Sequence, residues 1–218
     1  MKRMSDHETE TPTGARKPVS TWNLANVLTM GRIALVPFFA WFLLADGGED
    51  TTYRIIAFVL FVVASITDRI DGQIARSRGL ETEFGKLMDP IADKALMGMA
   101  FIGLSIIDVL PWWATIVVLA RELAITALRF VVIRHGVMPA SHGGKLKTAL
   151  QALAAGLFVL PLPDWGHIGA WVVMAAAIVV TVATGIDYFF RAAKLRRESA
   201  RTARARSTQS WASRTGAP

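Results

Sequence analysis

Apolar residues recur in six runs, at about 33–45, 53–76, 86–107, 112–134, 145–162 and 167–190. Most approach the roughly 20 residues that a helix needs to cross the hydrocarbon core of a bilayer. The pattern predicts an all-α integral membrane protein with six transmembrane helices. The first run is short for a full span unless its helix begins near Asn23. Ahead of it, "STWNLANVLTMGRI" predicts a short interfacial helix with Ser20 as its N-cap. Pro111 and Pro161 fall near run ends, where proline costs a helix least.

The polar remainder divides the chain. Residues 1–19 read as a disordered cytoplasmic N-terminus, with no apolar leader after the basic start, 20–190 as the membrane domain, and 191–218 as a basic cytoplasmic tail. The connections at 46–52, 108–111 and 161–167 contain no Lys or Arg, whereas the N-terminus, the 77–86 and 134–147 loops and the tail are rich in them. With six spans the two sets alternate, so the basic regions and both termini are expected on the cytoplasmic side. Trp112, Trp113 and Trp165 then mark the outer interface.

Composition sharpens this picture in two ways. The chain has 218 residues, 53% of them hydrophobic and none cysteine, which suits one membrane domain and excludes disulfides and thiolate chemistry. Its formal charge of +7 lies in the tail, where Arg191, Lys194, Arg196, Arg197, Arg201, Arg204, Arg206 and Arg214 face only Glu198. That tail reads as an anchor on anionic lipid. Nucleic-acid binding is the weaker reading, because no folded nucleic-acid module accompanies the charge.

Four aspartates stand against the apolar background, Asp68 and Asp71 late in the second run and Asp89 and Asp93 early in the third. Members of each pair lie about 60° and about 40° apart around a helix, so each pair shares a face. A hairpin of the two runs would bring the faces together. Carboxylates gathered at low dielectric protonate unless cations compensate them. Oxygen-only ligands favour Mg²⁺ or Mn²⁺ over zinc. The plainer alternative pairs the acids with Arg69, Arg76, Lys86 and Lys94. Intramembrane acids are costly and usually functional, which favours the metal. Gly72 and Ala75 are small, Gly85 allows a tight turn into the third run, and Arg76 suits a bidentate phosphate contact.

The full pattern is Asp68-x2-Asp71-Gly72-x2-Ala75-Arg76-x8-Gly85-x3-Asp89-x3-Asp93. It resembles the signature of the CDP-alcohol phosphotransferases. The resemblance implies a metal-dependent transferase that moves the phosphatidyl group of CDP-diacylglycerol to an alcohol, with CMP leaving. It implies that Asp68, Asp71, Asp89 and Asp93 hold two divalent cations, Mg²⁺ or Mn²⁺, and that Asp93 is the general base. It further implies that Gly72, Arg76 and Thr82 contact the CDP moiety, and that the protein is a homodimer in a bacterial-type inner membrane. No Ser-His-Asp or Cys-His set offers a covalent alternative.

The acceptor must be read elsewhere. Arg121 and Arg129 in the fourth run, with Lys145 and Lys147 opening the fifth, are candidates to bind an acceptor's phosphate. Simple snorkelling to the cytoplasmic surface is the alternative. "NLANVLTMGRI", "ARELAITALR" and "GKLKTALQ" resemble the members of that family that use sn-glycerol 3-phosphate, with Ala25 where proline is usual. Sister enzymes taking inositol phosphate, serine or phosphatidylglycerol are the first rival. A divalent-cation transporter is the second, and it would need polar groups through the full membrane depth.

Overall fold

The computed structural model describes the backbone of residues 24–78, 82–132 and 142–215. Side chains are described across most of 26–70, 88–128 and 146–190, with Thr82 and Gly85. The described residues are all-helical: α1 (Leu24–Leu44), a 3₁₀ turn (Ala45–Gly48), α2 (Thr51–Arg78), α3 (Glu83–Ile106), α4 (Trp112–Val132), α5 (His142–Val159) and α6 (Asp164–Thr215). No strand occurs among them.

Each apolar run is a helix, and the local sequence accounts for the ends. The α1–α2 turn uses Asp46, Gly47 and Gly48 at φ of 52°, 62° and 79°, a region glycine enters freely. Asp50 then caps α2 by accepting from the Tyr53 amide (2.9 Å). Thr82 caps α3 by accepting from Gly85 N (3.0 Å). Helix α6 runs on past the apolar segment through the basic stretch to Thr215, since no Gly or Pro interrupts residues 186–215.

Among the described residues three segments are long and apolar enough to cross a membrane, Asn26–Gly48, Thr51–Asp68 and Asp164–Phe190. Charge or length sets the other helices apart: α3 carries Asp89, Asp93 and Lys94, α4 carries Arg121 and Glu122, and the apolar part of α5 is Leu146–Val159. The expected interfacial helix is not a separate element, because α1 runs unbroken from Leu24. Its first turns are inverted relative to a soluble helix. Asn26, Thr29 and Arg32 are buried, while Val27 and Met30 are exposed. Polar atoms face inward and apolar ones outward, as a lipid environment requires. The mediocre apolar periodicity there comes from that inward polar stripe.

Helix α1 packs along both α2 and α3, whereas α2 and α3 touch each other sparsely. Helix α6 packs on α4 and α5, and α5 joins this second group to α2 and α3. Phe39, Leu43, Phe61, Phe101 and Phe158 fill the space between, with Phe39 and Phe61 rings 5.8 Å apart. A Cβ at Gly103 would lie 2.6 Å from Leu43 Cδ2, so this glycine lets α3 approach α1 within the chain.

Arg54 closes the end of the bundle opposite the aspartates. Its guanidinium donates to the carbonyls of Phe158 (2.5 Å), Val159 (3.1 Å) and Leu160 (3.4 Å), which end α5. Terminal carbonyls lack partners within their own helix, and a cation there also meets the negative end of the dipole. Arg54→Met strips these bonds from a buried site. The expected result is a thermal midpoint in detergent lowered by several degrees, read by tryptophan fluorescence. An unchanged midpoint would show that the carbonyls are satisfied without Arg54.

Candidate active site

Polar residues at every third position give α1 one polar face, and that face builds the site. Arg32 Nη1 lies 2.6 Å from Asp68 Oδ1 on α2. Thr29 Oγ1 donates to Asp89 Oδ1 on α3 (2.5 Å). Asn26 Nδ2 donates to Thr82 Oγ1 at the start of α3 (2.9 Å). One helix thus holds both acid-bearing helices. Among the described residues α2 and α3 pack sparsely on each other with α1 against both, and Asp68 of α2 and Asp93 of α3 line a common cavity. Gly85 serves this arrangement too, since a Cβ there would lie 2.6 Å from Asn26 Oδ1. Its role is close helix approach, and the turn into α3 belongs to Thr82.

Arg32 is among the largest fully buried side chains, whereas the Asp68 side chain is 37% exposed. A buried guanidinium needs an anion, because an unpaired charge at low dielectric costs several kcal/mol. Of the cations near the acids in sequence, Lys94 donates to Thr126 Oγ1 (2.6 Å) beside the cavity that Asp93 lines, and the side chains of Arg69, Arg76 and Lys86 lie outside the described residues. Arg32, Thr29 and Asn26 were missed as site residues. Their signal was the three-residue spacing of polar groups in "NVLTMGR".

Two cavities meet at Asp93. The first, about 290 Å³, is lined by Arg32, Asp68 and Asp93 and then by apolar residues of α2, α3 and α5, among them Phe58, Phe61, Leu153 and Leu157. The second, about 200 Å³, is lined by Asp93, Lys94, Glu122, Lys147 and Gln151 over an apolar floor. Asp93, Met97 and Thr148 stand in both walls. Gly98 leaves open space at the second cavity.

The predicted basic residues separate. Lys147 is buried, lines the second cavity and pairs with Glu122. Arg121 lies outside that lining. It donates to Thr181 O (3.0 Å) and Thr184 Oγ1 (2.8 Å) of α6 and to Glu122 Oε1 (3.0 Å). It therefore braces α4 against α6. Asp71, Gly72 and Arg76 lie on α2, Arg129 on α4 and Lys145 on α5, with their side chains outside the described residues. Thr82 is buried in its cap and its bond to Asn26.

Carboxylate oxygens suit a hard divalent cation. Among the described residues no three acidic or histidine groups converge closely enough to hold one. Asp68 and Asp89 are held by Arg32 and Thr29, while Asp93 faces both cavities. The donor chemistry fits Mg²⁺ or Mn²⁺. Binding would require Arg32 to share Asp68 or release it.

Residues 22–183 match the sequence profile of CDP-alcohol phosphatidyltransferase. The chain belongs to the CDP-alcohol phosphatidyltransferase family. A Mycobacterium tuberculosis protein named as a probable phosphatidylglycerophosphate synthase is 56% identical over 170 residues, covering 78% of this chain and 81% of its own. A Bacillus subtilis CDP-diacylglycerol–glycerol-3-phosphate 3-phosphatidyltransferase is 37% identical over 185 residues, covering 77% and 94%. A Streptomyces coelicolor cardiolipin synthase (CMP-forming) is 31% identical over 157 residues, covering 71% of each. Membership makes this chain a transferase of phospholipid biosynthesis, and its exposed apolar helices are those of a membrane protein.

Within this phosphatidyltransferase, Arg32→Met would remove the cation that ties α1 to α2. The expected thermal midpoint in detergent falls by several degrees, and Arg32→Lys recovers part of the loss. A Met variant as stable as the parent would mean that apolar contacts alone hold α1.

Proposed function

We propose that this protein transfers the phosphatidyl group of CDP-diacylglycerol to sn-glycerol 3-phosphate, releasing CMP and forming phosphatidylglycerol phosphate. The observation that supports this reading is the position of Asp93 in the walls of two cavities, of which the second alone carries Lys94, Glu122, Lys147 and Gln151. The apolar first cavity suits a lipid donor, and its acidic end suits the donor's diphosphate with bound cations. The second, small and lined by Lys94, Lys147 and Gln151, suits a short phosphorylated alcohol. The names of the Mycobacterium and Bacillus relatives agree.

In this reading Asp68, Asp71, Asp89 and Asp93 hold two divalent cations, which when bound neutralise the diphosphate and ease departure of CMP. Gly72 and Arg76 contact the CDP moiety, and Thr82 supports it through the start of α3. Asp93 accepts the proton of the acceptor hydroxyl, whose oxygen bonds to the lipid-bearing phosphorus as the bond to CMP breaks. Lys147 receives the acceptor's phosphate, and Lys145 and Arg129 are proposed as further cations for it. Arg121 acts by holding α4 in place.

All six helices are proposed to span the membrane. Helix α4, with 21 residues, measures about 30 Å at about 1.5 Å per residue, enough for the hydrocarbon core. The Lys- and Arg-free turns and the exposed Trp112, Trp113 and Trp165 then lie outside. The site and both termini face the cytoplasm of a bacterial-type inner membrane. The catalytic unit spans 20–190, with the basic tail on anionic lipid. A homodimer is the proposed assembly, for which Gly103 supplies no support, since it packs on Leu43 of its own chain.

The reading is tested by supplying the purified protein with CDP-diacylglycerol and Mg²⁺ or Mn²⁺ and following CMP release across acceptors. Glycerol 3-phosphate is expected to give the lipid product. Product from phosphatidylglycerol instead would make this a cardiolipin synthase, and a failure of every acceptor to release CMP would overturn the proposed reaction. Asp93→Asn is expected to abolish turnover while CDP-lipid binding persists; lost binding would make Asp93 chiefly a cation ligand. Lys147→Ala is expected to raise the glycerol 3-phosphate KM by about tenfold or more, as for a lost charge-assisted hydrogen bond. An unchanged KM would remove Lys147 from the acceptor pocket.

A further inference from the structure

The reaction leaves Glu122 without a role. This α4 carboxylate lines the second cavity opposite Asp93, where it pairs with Lys147 of α5 and accepts from Arg121 Nη1 (3.0 Å). The Lys147 side chain is 8% exposed, Glu122 28%. A lysine so buried needs an anion whenever the cavity holds no ligand. Glu122 pairs with it directly, with the Asp93 carboxylate in the same cavity wall, and stands where an acceptor's phosphate would have to meet Lys147.

We propose that Glu122 is a tethered stand-in for the acceptor's phosphate, one that holds Lys147 in the empty cavity and yields it to an entering phosphomonoester. This deepens the acceptor assignment above and rests on it. The two cations on Glu122 differ in freedom. Arg121 is fixed to α6 by Thr181 and Thr184, and its stem lies against Gly185, where an added Cβ would come within 3.3 Å of Nε. Lys147 has a flexible stem at the cavity wall. On exchange, Lys147 moves to the phosphate while Glu122 keeps Arg121, so neither carboxylate nor ammonium is stranded. The exchange also selects. A phosphomonoester offers Lys147 more charge than the carboxylate does, and a neutral alcohol offers none. Glu122 is therefore a positioning and specificity-setting residue, and it touches no reacting atom.

The test uses the full chain in detergent with inorganic phosphate as the probe, by calorimetry and by competition against glycerol 3-phosphate. Glu122→Gln removes the competing charge. Phosphate is expected to bind about fivefold tighter, the scale of one partly exposed ion pair, and the glycerol 3-phosphate KM to fall in parallel. A mere clasp between α4 and α5 predicts the reverse, so phosphate binding that is unchanged or weaker in folded Glu122→Gln overturns the proposal. If that variant does not fold, Glu122→Asp keeps the charge but draws it back from Lys147. Tighter phosphate binding there supports the exchange, and equal or weaker binding overturns it. Should the parent protein bind no phosphate and show no competition, the acceptor assignment fails, and this inference with it.

Discussion

A guanidinium buried at the edge of an apolar bundle needs a negative partner, and in this protein the partner is Asp68, a carboxylate of the proposed reaction centre. The Arg32–Asp68 pair, 2.6 Å long, ties α1 to α2. The Thr29–Asp89 and Asn26–Thr82 bonds tie the same helix to α3. Helix α1 thus gives Asp68 and Asp89 a donor each and fixes both acid-bearing helices against one neighbour. The sparse direct packing of α2 on α3, the glycine at position 85 and the inward polar stripe of α1 all follow from that arrangement.

The same logic of matched charge recurs on the other half of the bundle with different participants. Arg121, Glu122 and Lys147 form a chain of alternating charge across α4 and α5, and Arg121 extends it to α6. Gln151 adds a bond to Thr181 Oγ1 (3.0 Å). Asp93 stands between the two networks. The acidic network meets α1 and opens onto apolar wall, and the basic network meets α6 beside a smaller cavity with polar residues over an apolar floor. In the proposed reaction that difference would separate a lipid-like ligand from a soluble one at a single carboxylate. The opposite end carries Arg54 on the carbonyls that end α5, a purely structural use of a buried cation. Helix anchoring and chemistry are thereby kept at opposite ends of the bundle.

The apolar runs each became a helix, because a chain in lipid must satisfy its backbone internally, but they did not show that α1 begins at Leu24 or that α6 runs on to Thr215. The spacing of Asp68, Asp71, Asp89 and Asp93 was enough to propose a reaction centre, since acids at such depth are rarely incidental. What sequence left open was which cation meets which acid. Among the described residues Lys94, near in sequence, bonds to Thr126, while Arg32, which pairs with Asp68, lies 36 positions away and on another helix. Likewise Arg121 and Lys147 look equivalent as basic residues in apolar runs, and only packing makes one a brace and the other a cavity wall. Helical periodicity and the cost of charge in lipid are local properties that a sequence carries by itself. The choice of partner depends on which helix packs against which, and the tertiary structure makes that choice by packing α1 along both acid-bearing helices.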